Sequence, residues 1–188
     1  MTFVLSNDAR GVLSELHAYA EIEDALARER VRGESTALGA PVSASDKYEL
    51  YGDAPPLAIS PSEGEVLYFL VRLLRPQCVV EFGSSHGIST IYLAAALDHN
   101  GAGRLVTTEI RAAKAEAARK NLTRAGLIDA VDLRLGDARE SLAEIERPVD
   151  LAFLDGRNDL YLDVLQGLSR AFLSEQSSWR ISARTILI

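Results

Sequence analysis

The sequence predicts an α/β fold, a Rossmann-like, doubly wound and mostly parallel sheet. Three observations predict it. Short apolar runs alternate four times with longer helical stretches between Cys78 and Leu173. That spacing suits parallel strands joined by crossover helices on both faces. Each run closes on a glycine turn or a carboxylate, as at Gly83, Glu109, Gly136 and Asp155. The helical stretches carry their own caps, which separates them from the strands.

Taken in order, residues 8–31 read as an amphipathic helix, with Val12, Leu13, Leu16, Tyr19, Ile22, Leu26 and Val31 near a 3.6 period. Residues 33–59, punctuated by Gly33, Gly39, Pro41, Gly52, Pro55 and Pro56, are expected to be a long connection without periodicity. Ser60-Pro61-Ser62-Glu63 is a capping box with proline in the first turn, opening a helix that ends at Pro76. Strands are expected at Cys78–Phe82, Arg104–Glu109, Val131–Leu135 and Val149–Leu154. Helices are expected at Ile88–Leu97, Arg111–Ala125 (closed by Gly126), Ala138–Ile145 (capped by Asp137) and Leu160–Leu173.

The chain's 188 residues suit one domain with a small appendage: residues 1–59 as a helix and loop serving as cap or dimerisation region, and residues 60–188 as the main domain. Twenty basic against 27 acidic residues give a net charge of −7, against a nucleic-acid footprint or a polybasic membrane anchor. The single Cys78 precedes an apolar run and reads as a small buried hydrophobe. Three scattered histidines give no zinc spacing. The first twenty residues carry Asp8, Arg10 and Glu15, so no signal peptide is expected; nor is a membrane span, and the cytoplasm is the expected location.

In a doubly wound sheet, ligands sit outside the carboxyl ends of the strands, which directs attention to residues 82–89, 109–111, 136–138 and 155–159. The first turn, Gly83-Ser84-Ser85-His86-Gly87, is neither a dinucleotide fingerprint, since Ser85 replaces its second glycine, nor a phosphate loop. Glu109 is placed to accept both ribose hydroxyls of a nucleoside, or is an exposed strand-end charge. Asp137 caps a helix or reaches an adenine amino group. Asp155 follows the apolar run Leu151–Leu154, where chemistry is located in this architecture.

Together these strand ends resemble the class I S-adenosylmethionine-dependent methyltransferases, and among them the bacterial small-molecule O-methyltransferases related to the catechol and caffeoyl-CoA enzymes. The resemblance is carried by Ile59-Ser60-Pro61, Val80 to Thr90, Thr108-Glu109, Gly136-Asp137-Ala138, and Phe153-Leu154-Asp155-Gly156 with Asp159-Leu160-Tyr161. It implies that Glu81, Gly83, Ser84 and Ser89 surround the methionine part of the cofactor, Glu109 holds the ribose, and Asp137 and Ala138 border the adenine. Asp155 would be the catalytic carboxylate beside the methyl group and, with Mg²⁺ or another divalent cation, a metal ligand. The implied reaction is methyl transfer from S-adenosylmethionine to a hydroxyl of a small molecule, with a homodimer as the expected assembly. A catalytically inactive cofactor-binding remnant is the alternative; a nicotinamide-dependent oxidoreductase is disfavoured by the glycine spacing.

The resemblance also sets an expectation that fails after Gly167. A Pro-Gly turn, an apolar strand and an Asp-Asn pair should follow there, but residues 168–188 read otherwise. Thr185–Ile188 is the candidate fifth strand, and the C-terminal strands are expected to be missing, as by truncation. Asn158 is a candidate metal ligand or a turn former, and His86 and Tyr161 are conceivable acceptor contacts.

Overall fold

In a computed structural model of the chain, which describes residues 4–145 and 148–172, the expected alternation forms a four-stranded parallel sheet. Its strands are β1 (Cys78–Phe82), β2 (Arg104–Glu109), β3 (Val131–Leu135) and β4 (Leu151–Leu154), in the order β3-β2-β1-β4. The chain steps outward from β1 through β2 to β3, then returns to pair β4 on the other side of β1. The order reverses between β1 and β4, which opens a crevice at their carboxyl ends.

Seven helices complete the described fold: α1 (Asn7–Leu38), α2 (Ala44–Tyr51), α3 (Pro61–Leu74), α4 (Ile88–Asn100), α5 (Ala112–Arg124), α6 (Ala138–Ser141) and α7 (Tyr161–Phe172). Alternation along β1 divides the core. Val79 faces a cluster built from α1, α3, α4 and α5, while Cys78, Val80 and Phe82 face one built from α6 and α7. Both faces of the sheet are covered, as a doubly wound fold requires. Cys78 is buried, as its setting in the sequence suggested.

Four expectations are corrected. The first helix does not stop near residue 31; it runs to Leu38 and ends at Gly39, whose φ of 63° gives a left-handed cap. Gly33 lies inside it with open space around it, so only the modest propensity cost of glycine opposes the helix there. The buried face of α1 is Ala9, Val12, Leu13, Leu16, Ala20, Asp24 and Ala27, whereas Tyr19, Ile22 and Leu26 lie on an adjoining exposed strip. Residues 33–59 are not one loop, because α2 forms within them, its N-terminus capped by the Ser43 hydroxyl accepting from the Asp46 amide. The helix after Asp137 is a single turn ending at Ser141, and β4 starts at Leu151, just after Asp150, whose carboxylate accepts from the Gln77 and Cys78 amides at 2.7 and 3.0 Å. The proposed fifth strand lies outside the described residues.

Candidate functional site

The four carboxyl ends open into one cavity of about 490 Å³. This lies in the size range of small-molecule sites. Gly83, Ser84, Ser89, Glu109, Asp137, Ala138 and Asp155 all line it, so seven of the eight residues selected for the cofactor site meet around one space, while His86, a conceivable acceptor contact, is not among the lining residues. Backbone contacts fix their spacing. The Gly83 and Ser84 amides donate to the Thr108 carbonyl (3.2 and 2.9 Å), the Gly136 amide to the Glu109 carbonyl (2.9 Å), and the Asp155 amide to the Phe82 carbonyl (2.9 Å). Gly83 has φ of 95°, and a Cβ there would stand 2.8 Å from the Gly156 Cα. Only glycine lets the turns after β1 and β4 pass this closely.

Glu81 is the exception. It does not line the cavity but lies fully buried beneath its floor. One carboxylate oxygen accepts from Ser89 Oγ at 2.6 Å, and the other from Thr90 Oγ1 at 2.6 Å and Thr107 Oγ1 at 2.5 Å. The residue ties the start of α4 to β1 and β2. Burial pushes its carboxyl above the usual range, against the three hydroxyl donors that pull it down.

At the carboxyl end of β2, Glu109 accepts from the Ser85 amide through one oxygen (2.9 Å) and from the Arg111 amide through the other (2.9 Å). The Tyr48 hydroxyl reaches the same second oxygen at 3.4 Å. These bonds hold the carboxylate at the cavity wall and leave one lone pair free, with a second available where the long Tyr48 contact is given up. Asp137 caps α6 through the Arg139 amide and pairs with the Arg139 guanidinium, whose hydrogen bond holds its carboxyl below the usual range. At the opposite end, Asp155 turns an exposed surface to the cavity while protein surrounds it elsewhere. That burial, with the charges of Glu81 and Glu63, pushes its carboxyl up to about 7. Tyr161 stands in the same wall, its ring edge-on to Phe82 with centroids 6.2 Å apart.

Two observations fit the cavity to a polar ligand. Ser84 Oγ and Thr108 Oγ1 are buried in its wall, and neither has a hydrogen-bond partner among the described residues. Such orphans are rare in folded proteins, and here both oxygens are sealed from the open cavity, so a ligand reaches them only after the wall shifts. Helix α4 begins at Gly87 without a side-chain cap, and its first residues, Ile88 and Ser89, line the same cavity. A metal is a poorer fit, because among the described residues no group of three or more His, Cys, Asp or Glu is arranged to hold one.

Some lining residues were not singled out from the sequence: Lys47, Tyr48 and Tyr51 from α2, and Lys114 from α5. The Arg111 guanidinium lies 4.4 Å over the Tyr48 ring and bonds the Tyr48 carbonyl, Glu49 and Asp53, joining α2 to the Glu109 turn. The Ser43-x-x-Asp46 spacing was the one sequence signal that could have exposed α2.

A sheet of this order with a cavity at its switch point defines the class: a Rossmann-like α/β domain. Comparison narrows the class, for residues 80–172 match the Methyltransferase domain family, and this stretch is a methyltransferase domain. The chain is 38% identical over 133 residues to a catechol O-methyltransferase of Mycobacterium tuberculosis, covering 70% of this chain and 58% of that protein. It is 35% identical over 116 residues to a catechol O-methyltransferase of Niastella koreensis, covering 60% of this chain and 52% of that one. The chain thus spans little more than half the length of these relatives. A solved O-methyltransferase from Bacillus cereus, in complex with SAH, is similar at 27% identity and a TM-score of 0.55, over 80% of this chain and 69% of that one.

Proposed function

We propose that this chain belongs to an enzyme that transfers a methyl group from S-adenosylmethionine to a hydroxyl of a small molecule. The observation that carries the reading is the single cavity uniting four strand ends, with Glu109 at one end, Asp155 at the other, and the unpartnered Ser84 and Thr108 hydroxyls in its wall. Its relatives named for catechol O-methylation support the acceptor class.

In this reading Glu109 accepts the ribose hydroxyls, and Asp137 and Ala138 border the adenine. Gly83, Ser84 and Ser89 hold the methionine part, with the open amides of the first turn of α4 favouring its carboxylate. Glu81 acts from below by fixing Ser89. The bound cofactor supplies an electrophilic methyl on a sulfonium. The chain's own part is to hold donor and acceptor in line and to keep water away, which can contribute roughly 7–11 kcal/mol. The Asp155 carboxylate beside that end favours a positive sulfonium over a neutral thioether. Among the described residues Asp155 is not part of any group of three or more His, Cys, Asp or Glu that could hold Mg²⁺.

Residues 1–59 serve as the cap and residues 60–188 as the cofactor domain. Among the described residues no helix is long and apolar enough to cross a membrane, and the charge of −7 does not favour nucleic acid; a cytoplasmic setting agrees with both. The exposed strip Tyr19, Ile22 and Leu26 on α1 suits a homodimer, which sedimentation of the purified chain tests.

Calorimetric titration with S-adenosylhomocysteine, together with transfer of a labelled methyl group to a catechol, tests the main reading. Binding with transfer is the expected result. Binding without transfer, with or without Mg²⁺, supports the inactive remnant instead, and absence of binding refutes both.

A further inference from the structure

The roof of the cavity differs in kind from its floor. Residues 52–59 run from the end of α2 toward α3, and Pro56, Leu57, Ala58 and Ile59 line the cavity. Among the described residues this segment makes no backbone-to-backbone hydrogen bond. Side chains from elsewhere hold it instead. Asp24 of α1 accepts the Leu57 and Ala58 amides at 2.8 and 2.9 Å. His86 Nε2–H donates to the Asp53 carbonyl at 2.9 Å, and Arg111 pairs with the Asp53 carboxylate at 3.2 Å. Lys114 donates to the Pro55 carbonyl at 2.9 Å.

Lys114 is the unusual member of this set. Its side chain is only 2% exposed, yet its ammonium has no carboxylate within ion-pair distance among the described residues. Burial lowers its pKa. Its direct hydrogen-bond partners are neutral oxygens, while the carboxylates of Glu109, Asp24 and Asp53 act on it from beyond ion-pair distance and offset part of the cost of burial. Its second partner is Ser85 Oγ, at 3.3 Å, in the turn after β1. One ammonium therefore joins the roof to the floor. The floor end, and the roof at the Asp24 clasp beside Pro55, are held in backbone conformations that L-residues rarely adopt. Ser85 has φ of 46°, and Leu57, two residues beyond Pro55, has φ of 51°. Such conformations persist only where surrounding contacts impose them.

We propose, resting on the reading of the cavity as an S-adenosylmethionine site, that Lys114 is a positioning residue that holds residues 52–59 as a closable strap over that cavity and sets the turn beneath it. The strap opens by releasing side-chain clasps, without breaking the sheet. Neither cofactor nor acceptor need touch the amine.

Amide hydrogen exchange of the ligand-free full chain, read by mass spectrometry or NMR, tests this directly. In the wild type, the Leu57 and Ala58 amides are expected to exchange at least tenfold faster than that of Val80 in β1. Exchange as slow as Val80 means that the strap opens only with global unfolding, and overturns the proposal. Lys114→Met is expected to speed exchange at Leu57 and Ala58 a further tenfold, with Val80 unchanged, and to weaken S-adenosylhomocysteine binding about tenfold. Unchanged strap exchange in that variant overturns the proposal. Lys114→Gln, expected to speed strap exchange at least threefold, serves if the methionine variant does not fold. A wild type that shows the strap pattern but does not bind S-adenosylhomocysteine refutes the assignment of the cavity while leaving the strap in place.

Discussion

Replacing Glu81 by alanine should cost the fold a large part of its stability, although the residue touches no cavity. The carboxylate has no exposed surface and accepts three hydroxyl hydrogen bonds, from Ser89, Thr90 and Thr107. In the Glu81→Ala variant these hydroxyls lose their acceptor where water is absent, at about 1 kcal/mol each. Two of the three hydroxyls are on α4 and the third is on β2, so no single local shift re-satisfies them all. With the unfilled volume added, the loss is about 4 kcal/mol. That is a large fraction of the 5–15 kcal/mol typical of a domain. Urea denaturation followed by circular dichroism measures it as a fall in midpoint at constant slope. Glu81→Gln is the control, since it keeps the shape and an acceptor, and a hydroxyl can reverse its role toward the amide. It should stay within about 1 kcal/mol of the wild type, because it also removes a charge that burial disfavours. A Glu81→Ala loss below about 1 kcal/mol would refute the reasoning.

Three further outcomes are expected. The folded-state pKa of Asp155 is raised from 3.8 to about 7, so the native state binds the proton more tightly than the unfolded chain, and stability falls as pH rises from near 4 to near 7; Asp155→Asn should flatten part of that fall in urea titrations at several pH values, and an unaltered slope would contradict it. Ser84→Ala removes a buried hydroxyl without a partner, so the ligand-free protein should keep or gain stability while S-adenosylhomocysteine binding weakens about fivefold, near 1 kcal/mol, in calorimetry. Gly83→Ala forces a Cβ against the Gly156 backbone at a φ of 95°, which should cost about 2–4 kcal/mol in urea denaturation and weaken binding as well; a melting curve like that of the wild type would show that the two turns do not pass so closely.

What the sequence disclosed and what it withheld divide along a physical line. The strands and their ends were legible because each is a local pattern: an apolar run, then a glycine or a carboxylate. Gly83, Glu109, Asp137 and Asp155 each have an ordinary reading alone and stood out through their order at successive strand ends, and the sheet brings them together. Helix α2 escaped because periodicity marks helices that bury a face, and α2 has no buried residue. It is set by a cap and by the Arg111 clasp, and a clasp between residues sixty positions apart leaves no periodic trace. Lys114 carries no mark in the sequence that sets it apart from the other charges of its helix, and only the fold buries it. Glu81 shows the converse, for a carboxylate at a strand end looks like a ligand group. Its three hydroxyl partners come from α4 and β2, so its support of the floor emerges only from tertiary structure.

The same line separates rigid from movable parts of the site. The floor is a parallel ladder in register, from Val79 beside Leu105 and Leu151 to Phe82 beside Thr108 and Leu154. Its strands are buried on both faces, so opening it requires loss of the core. The roof is clasped by side chains at the cavity rim, and although Pro55 and Pro56 are buried and Ala58 and Ile59 pack against the core, releasing it leaves the sheet and its two core clusters in place. Local opening free energies follow this difference. A ligand as large as an adenosyl nucleoside needs an entrance, and the geometry offers the roof as the part that can yield at least cost. Binding energy gained at Glu109 and at the Ser84 turn is then partly spent in re-ordering residues 52–59. Substitutions in the strap clasps should therefore alter affinity more than melting temperature, whereas substitutions at Glu81 or Gly83 should alter both.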